Sequence, residues 1–445
     1  MFLKKNLAFG LITFLLYPAM SFSQSSASGP LSLEQCVQLA LKQNSQLLNA
    51  QRRVRVAETE VTRARSAILP RISSTLRSNR QRIVFDQPRI DLNTGRILGT
   101  GVYQNTHSMS FSFNQNVFDF GASWNTIRQA SSARESSVFT AQATRQNTVF
   151  TVYQNYYQML KDVRLLEVYE EAVKQSEEQL KRTQSMYEIG SVARVDVYRA
   201  QTQLGNDKIN LVQQRNAIRL SRAALNVTVG RNADDPLDIK DPEDVAGPAK
   251  PYNIEEVMNR AVQSNPNISR FKSDMKSASY GVKVAKANFL PSFFLFASYS
   301  RDDSKFTNVY QNFDQNFFAN VGVTVSFNIF NGFSDWANHE REATNYRIAQ
   351  ENLVDQERQI RQQVMVALLN LQGWKEISDI NEENLNSTQE ELRLAQERYR
   401  VGAGTLLDVQ IAQTNLTRAK STLVRAKYDT KIAEAQLQAA MGTLQ

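Results

Sequence analysis

The chain has 445 residues, with only 17 Gly and 10 Pro, about half of typical usage. So few breakers exclude a loop-rich chain and point to long uninterrupted helices, while two His (His107, His339) and one Cys (Cys36) exclude a disulfide framework, a Cys/His zinc site and most histidine-dependent catalysis. The net charge of +8 comes from 52 basic and 44 acidic residues mixed along the chain, which reads as a solvated helical surface and not as a nucleic-acid patch.

Residues 1–23 read as a signal peptide. Lys4 and Lys5 form the positive start, Leu7 to Met20 is almost wholly apolar, and the small residues Ser21 and Ser23 follow. The apolar run is too short to span a bilayer and no stop-transfer pattern follows it. Residues 24–32 form a linker. Cys36 lies beyond the leader and reads as a small buried helix residue.

The remainder is an internal duplication, the first thing to look for in a long chain. A shift of 221 residues brings Leu33, Ala40, Asn44, Leu69 and Pro70 onto Ile254, Ala261, Asn265, Leu290 and Pro291. A shift of 212 brings Asn116, Phe118, Trp124, Tyr187, Gly190, Asp196, Val197 and Gly230 onto Asn328, Phe330, Trp336, Tyr399, Gly402, Asp408, Val409 and Gly442. The offset changes between Pro70 and Asn116, so one connection is longer in the first copy. The repeats are 33–230 and 253–442. The connector between them, 231–252, holds four of the prolines (Pro236, Pro242, Pro248, Pro251) and reads as irregular.

In chain order, each repeat begins with a helix, 33–69 and 254–290, stopped by Pro70 and Pro291, because proline lacks the donor and disfavours helix in the residue before it. A β-hairpin follows, 72–118 and 292–330. From Ala319 to Ile329 apolar and polar residues alternate strictly, and from Ser108 to Phe118 they do so except at Gln115 and Phe118, as in a transmembrane barrel strand. A half-buried soluble sheet alternates in the same way; the leader and the aromatic strand ends (Phe118, Phe120, Phe317, Phe318, Phe330) favour the barrel. A long helix comes next, 121–189 and 333–401, of about 100 Å at 1.5 Å per residue. Gly190 and Gly402 end it as C-terminal caps, and a return helix closes the repeat, 194–229 and 406–441. The first and last helices together match the long one, so each repeat makes two rods under a hairpin. The fold class is thus mostly α, a duplicated helical tunnel with four transmembrane β-strands per chain. Four strands cannot close a barrel, for which eight is the known minimum, and an open sheet in lipid leaves unsatisfied edges. More than one chain is required.

The duplication, the helix–strand–strand–helix–helix order and the paired tips (Tyr187, Gly190, Asp196, Val197; Tyr399, Gly402, Asp408, Val409) resemble the TolC-type outer-membrane efflux protein family. The resemblance covers the whole mature chain. It implies a homotrimer with a shared twelve-stranded barrel in outer-membrane lipid, and a helical tunnel through the periplasm. It also implies a regulated constriction at the tip, where a periplasmic adaptor and an inner-membrane transporter dock, and an exported cargo of drugs, metals, small toxic molecules or proteins. A periplasmic coiled-coil adaptor is the alternative; it accounts for long hairpins but not for two barrel-like β-hairpins. No cofactor, metal, nucleic-acid partner or enzymatic activity is expected.

Asp196 and Asp408 sit near the starts of the return helices. Capping and dipole stabilisation explain such acids; in a trimer the same positions also place six carboxylates around one opening, a ring that attracts cations. Tyr187, Tyr399, Arg194, Arg398 and Arg400 are available as partners, and by resemblance Asp196 and Tyr399 match the family's closing network. Gly404 stands where relatives carry Arg, and Ile411 where they carry a second acid, so Ile411 is a candidate apolar constriction. Ile189, Gly190 and Ser191, with Val401, Gly402 and Ala403, match the family's adaptor-docking tips, although a plain helix reversal also explains the glycines.

Overall fold

The computed structural model describes residues 29–444 except 85, 88, 91–94, 96, 99–100, 242–251 and 312. The expected signal peptide, residues 24–28 of the linker and residues 242–251 of the connector lie outside the described residues. The first repeat comprises α1 (Leu33–Gln43), α2 (Ser45–Arg65), β1 (Arg71–Val84), a short ribbon of β2 (Arg89–Ile90) and β3 (Ile97–Leu98), β4 (Gly101–Phe118), α3 (Ala122–Glu188) and α4 (Arg194–Thr228). The second comprises α5 (Ile254–Ser264), α6 (Pro266–Ala287), β5 (Ser292–Asp303), α7 (Phe306–Val309), β6 (Phe317–Ser326), α8 (Ser334–Arg400) and α9 (Leu406–Met441).

One expectation is corrected twice, at equivalent places. The helices expected over 33–69 and 254–290 are each broken in two, at Asn44 and Asn265. Both asparagines leave the helical region, with ψ of 119° and 122°. The Asn44 side-chain oxygen accepts from the amides of Gln46 and Leu47 at 3.0 and 3.2 Å. That of Asn265 accepts from Asn267 at 2.9 Å, with Pro266 at the first helical position. Asparagine competes with the helix for backbone donors and so favours the N-cap; proline there needs no donor.

The amide nitrogens of these two side chains make a second bond. Asn44 Nδ2 donates to the carbonyl of Thr228, at the end of α4, at 3.0 Å. Asn265 Nδ2 donates to that of Ala440, at the end of α9, also at 3.0 Å. Each asparagine thus caps the start of one helix and a free carbonyl at the end of another. In this way α4 continues into α2 and α9 into α6, side by side with the long helices. Gly230 and Gly442, at φ of +86° and +74°, press against these joints. A Cβ on Gly230 would lie 2.7 Å from that of Gln43, and one on Gly442 2.8 Å from the Asn265 Cα.

The sheet is antiparallel, in the order β1-β4-β5-β6. Its last strand runs over 317–326, where the alternation suggested 319–329; residues 327–329 have left the ladder. The register puts Ile72, Phe113, Ala297 and Val321 in one row and Phe111, Tyr299 and Ala319 in the next, on a single face. Ser73, Ser112, Ser298 and Asn320 form a row on the other, where Ser73 and Ser112 are bonded at 2.6 Å. The strands β1 and β6 are the two edges of this sheet.

Midway along the rods, α1 packs on α3 through a core of Cys36, Ala40, Val152, Tyr156, Met159 and Leu225. Leu31 pairs in parallel with Ile239, and the Tyr156 hydroxyl reaches the carbonyls of Leu31 and Lys240 at 3.1 and 2.5 Å. This buried tyrosine therefore ties the chain before α1 to the connector; deleting a core aromatic of this size costs about 3–5 kcal/mol.

Candidate gate and docking tips

The helices of each repeat reverse in the same way at the end remote from the sheet. Gly190 and Gly402 both adopt φ of +76°. The amides of Ser191 and Ala403 reach back to the carbonyls of Met186 and Arg398 at 2.8 and 2.9 Å, while those of Gly190 and Gly402 reach Tyr187 and Tyr399 at 2.9 and 3.1 Å. This double bonding satisfies the last carbonyls of a helix and requires a left-handed residue, which glycine adopts without strain. A Cβ at either glycine would meet nothing within 4 Å. The neighbouring side chains project outward, Ile189 at 79% and Val401 at 71% exposure, so both tips offer a glycine turn beside an unpacked aliphatic.

The two tip acids differ in their bonding, although their sequence positions match. Asp408 is the third residue of α9 and closes a capping box. Its carboxylate accepts from the Thr405 amide and hydroxyl, both at 2.9 Å, and its own amide donates to the Thr405 hydroxyl at 3.2 Å. Those bonds hold its carboxyl below the ordinary value, the Thr405 backbone N–H first and its hydroxyl second. Thr405 was not singled out in the sequence, although a threonine three residues before an acid at a helix start is a readable signal. In the first repeat its place is taken by Ala193, which has no side chain to cap with. Asp196 is left with Arg199, one turn on, at 3.5 Å.

Asp196 lies near enough to Tyr399 for its charge to be felt there. Tyr399 is 8% exposed, in a cluster with Ala200 of α4, Leu392 of α8 and Leu406, Val409 and Ala412 of α9. Burial pushes its phenol above the ordinary value and the charge of Asp196 adds to this. The hydroxyl itself is buried without a hydrogen-bond partner. Thr183 stands beside it and partly offsets the rise; its own hydroxyl donates to the carbonyl of Gln179 at 2.8 Å. The remaining candidates are dispersed. Arg194 stacks over Tyr198 at 5.5 Å, Arg398 reaches the Ala403 carbonyl at 3.4 Å, and Tyr187 and Ile411 are exposed. Arg400, likewise exposed, follows Tyr399 as the last residue of α8.

Above the tip the packing between helices turns polar, which sequence reading missed. Asp207 of α4 is buried and accepts from Ser176 of α3 and from Gln203 at 3.2 Å. Gln179, Thr183 and Gln413 are buried close by. A polar residue on an amphipathic helix carries no mark of whether it faces water or a neighbouring helix.

A duplicated helical tunnel wall under a four-stranded sheet, apolar on one face and polar on the other, defines the outer-membrane component of an export channel. The sequence matches the outer membrane efflux protein family over residues 36–231 and 257–443, and the chain belongs to that family. It is 25% identical over 428 residues to the outer membrane protein TolC of Vibrio cholerae serotype O1, covering 94% of this chain and 92% of that one. It is 24% identical over 409 residues to the outer membrane efflux protein BepC of Brucella suis, covering 91% and 84%. Among solved structures it resembles the outer membrane protein VceC of Vibrio cholerae, with a TM-score of 0.79 at 17% identity, covering 92% of this chain and 96% of that one. It likewise resembles the open state of the MtrE outer membrane channel of Neisseria gonorrhoeae, with a TM-score of 0.78 at 18% identity, covering 93% and 89%. The protein is thus an outer-membrane efflux protein of the channel-tunnel type, from a family of transport proteins and not of enzymes.

Proposed function

We propose that three copies of this chain form one export duct, with a shared twelve-stranded barrel in the outer membrane and a helical tunnel reaching into the periplasm. The observation that carries this reading is the sheet: four strands per chain, an apolar face, and β1 and β6 left as edges. In lipid those edges need partners, and joining β1 of one chain to β6 of the next satisfies them in a closed ring. The tips are the gate. Asp196, half-buried, faces the opening, and the buried Tyr399 forms the wall behind it. Ile411, exposed one turn beyond Asp408, contributes an apolar constriction. The two glycine turns, each beside an outward aliphatic, receive a hairpin-shaped periplasmic adaptor, which couples the duct to an inner-membrane transporter.

Two measurements test this. The mass of the detergent-solubilised complex is expected to be that of three chains; a monomer sinks the shared barrel. Replacing Gly190 and Gly402 together by Leu is expected to abolish export in a susceptibility or secretion assay while leaving the complex intact. The strain at a left-handed turn is about 1 kcal/mol per residue, small beside rods of this length, whereas a bulky side chain blocks close approach by a partner. Normal export and normal crosslinking to an adaptor would move the docking site elsewhere.

A further inference from the structure

The hairpin of β1 and β4 outgrows the rest of the sheet. β5 ends at Asp303, level with His107 and, across β4, with Ser78. Beyond that row, residues 79–84 and 101–106 pair only with each other. The face that carries Ile72, Leu76, Met109 and Phe111 lower down carries Arg80, Arg82 and Tyr103 here, because side chains alternate and the register is unbroken from Arg71 to Val84. The guanidinium of Arg80 lies 4.6 Å above the Tyr103 ring and that of Arg82 5.8 Å. Tyr103 is itself exposed. Stacking fixes a guanidinium by its flat face and leaves the N–H edge free to bond an anion. Arg301, lower on this face, is not part of the set: it is buried, and its Nη1 donates to the Gln311 carbonyl at 2.6 Å.

The height of the pair identifies its ligand. The apolar face closes with aromatic residues at the level of Tyr299 and Phe317, stacked at 5.4 Å. Leu76 shares a row with Met109, Arg301 and Phe317. Arg80 is four residues further along β1, about 13 Å along the strand and about 10 Å along the membrane normal at ordinary barrel tilt. The headgroup layer on one side of a bilayer is only about 5–8 Å deep. A glycerol phosphate next to the hydrocarbon therefore sits below Arg80, whereas a phosphate borne on the sugar of a glycolipid reaches it. We infer that Arg80 and Arg82, held on Tyr103, bind a sugar-borne phosphate of an outer-leaflet glycolipid. The assignment rests on the outer-membrane placement and on the end of the barrel remote from the helices.

The test uses the full chain in phosphatidylcholine nanodiscs carrying a bis-phosphorylated diglucosamine glycolipid, its dephosphorylated form, or phosphatidylglycerol. Bound lipid is counted by native mass spectrometry. The phosphorylated glycolipid is expected to bind best. Arg80→Gln with Arg82→Gln should weaken it about tenfold or more, from about 1 kcal/mol per basic residue at a membrane surface, and Tyr103→Leu about threefold. Arg77→Gln, on the opposite face, is expected to change nothing. Equal binding of phosphatidylglycerol or of the dephosphorylated glycolipid, an unaffected double variant, or an equal loss with Arg77→Gln would each overturn the assignment. Single-channel conductance of the same samples reports the channel separately, so a failed lipid site leaves the duct standing.

Discussion

Thr405 and Asp408 satisfy each other at the start of α9, through two bonds to the Asp408 carboxylate and one from its amide to the Thr405 hydroxyl, while Ala193 leaves Asp196 without an equivalent partner. Two acids that the duplication makes formally identical are therefore held differently: one secures a helix end, the other has Arg199 beside it at 3.5 Å.

That difference can be removed by one substitution. Ala193→Thr places a capping hydroxyl three residues before Asp196 and should draw its carboxylate into a box like that of Asp408. Such a cap stabilises a helix start by about 1 kcal/mol. The expected outcome is a more stable tip with a larger single-channel conductance and weaker block by divalent cations. A tip that gains stability with an unchanged conductance would show that Asp196 is not in the gate.

Tyr399→Phe removes a hydroxyl that is buried without a partner inside its own chain. Deleting an unpaired buried polar atom costs no hydrogen bond, so the stability of the chain should stay within about 1 kcal/mol of the parent. Conductance in planar bilayers should likewise stay that of the parent, because a hydroxyl enclosed in its own chain makes no contact to a neighbouring protomer. A raised conductance would show that the hydroxyl becomes exposed in the assembled tip.

Gly322 keeps Phe296 against the barrel wall. The two are directly paired on the polar face of the sheet, and a Cβ on Gly322 would lie 2.9 Å from the Phe296 Cζ. Gly322→Val should lift that ring into the lumen and lower conductance without disturbing assembly, since the far end of a side chain moves more cheaply than backbone. Adding Phe296→Ala should restore the current; a current that stays low would locate the obstruction elsewhere.

Cys36 is fully buried, and burial pushes its thiol up to about 11. The thiolate is the reactive form, so the folded protein should resist alkylation at pH 8 and become labelled only in denaturant. Labelling at the same rate in both conditions would contradict the packing of α1 on α3.

Much of this architecture is legible in the residues themselves. Sixty-odd positions without Gly or Pro can hardly be other than one helix, and the period-two runs ending at Phe118 and Ile329 mark the ends of β4 and β6 to within a few residues. The breaks at Asn44 and Asn265 escaped because an asparagine inside an apolar helical pattern is tolerated as often as it caps. The recurrence of Asn in both copies, with Pro266 following one of them, was the available sign. The bonding at the tips was less readable still. Matching Asp196 to Asp408 suggested equivalence, and only the residue three places earlier, Ala193 or Thr405, separates them. The burial of Tyr399 and of Asp207 depends on how two hairpins of the same chain meet, which no local pattern encodes.

The asparagine joints have a mechanical consequence. Along α3 or α8, every turn is held to the next by peptide bonds, so a twist applied at one end is carried to the other. Where α4 meets α2 and where α9 meets α6, the two halves of a rod are held across the gap by an amide side chain and a close glycine contact. Such a joint passes compression along the axis but yields to rotation, as a coupling between two shafts does. Each chain pairs one stiff shaft with one articulated shaft in each repeat, and the articulation lies near the middle, at the level of Tyr156. A rotation applied at the tip end of such a rod is then taken up at that level before it reaches the sheet.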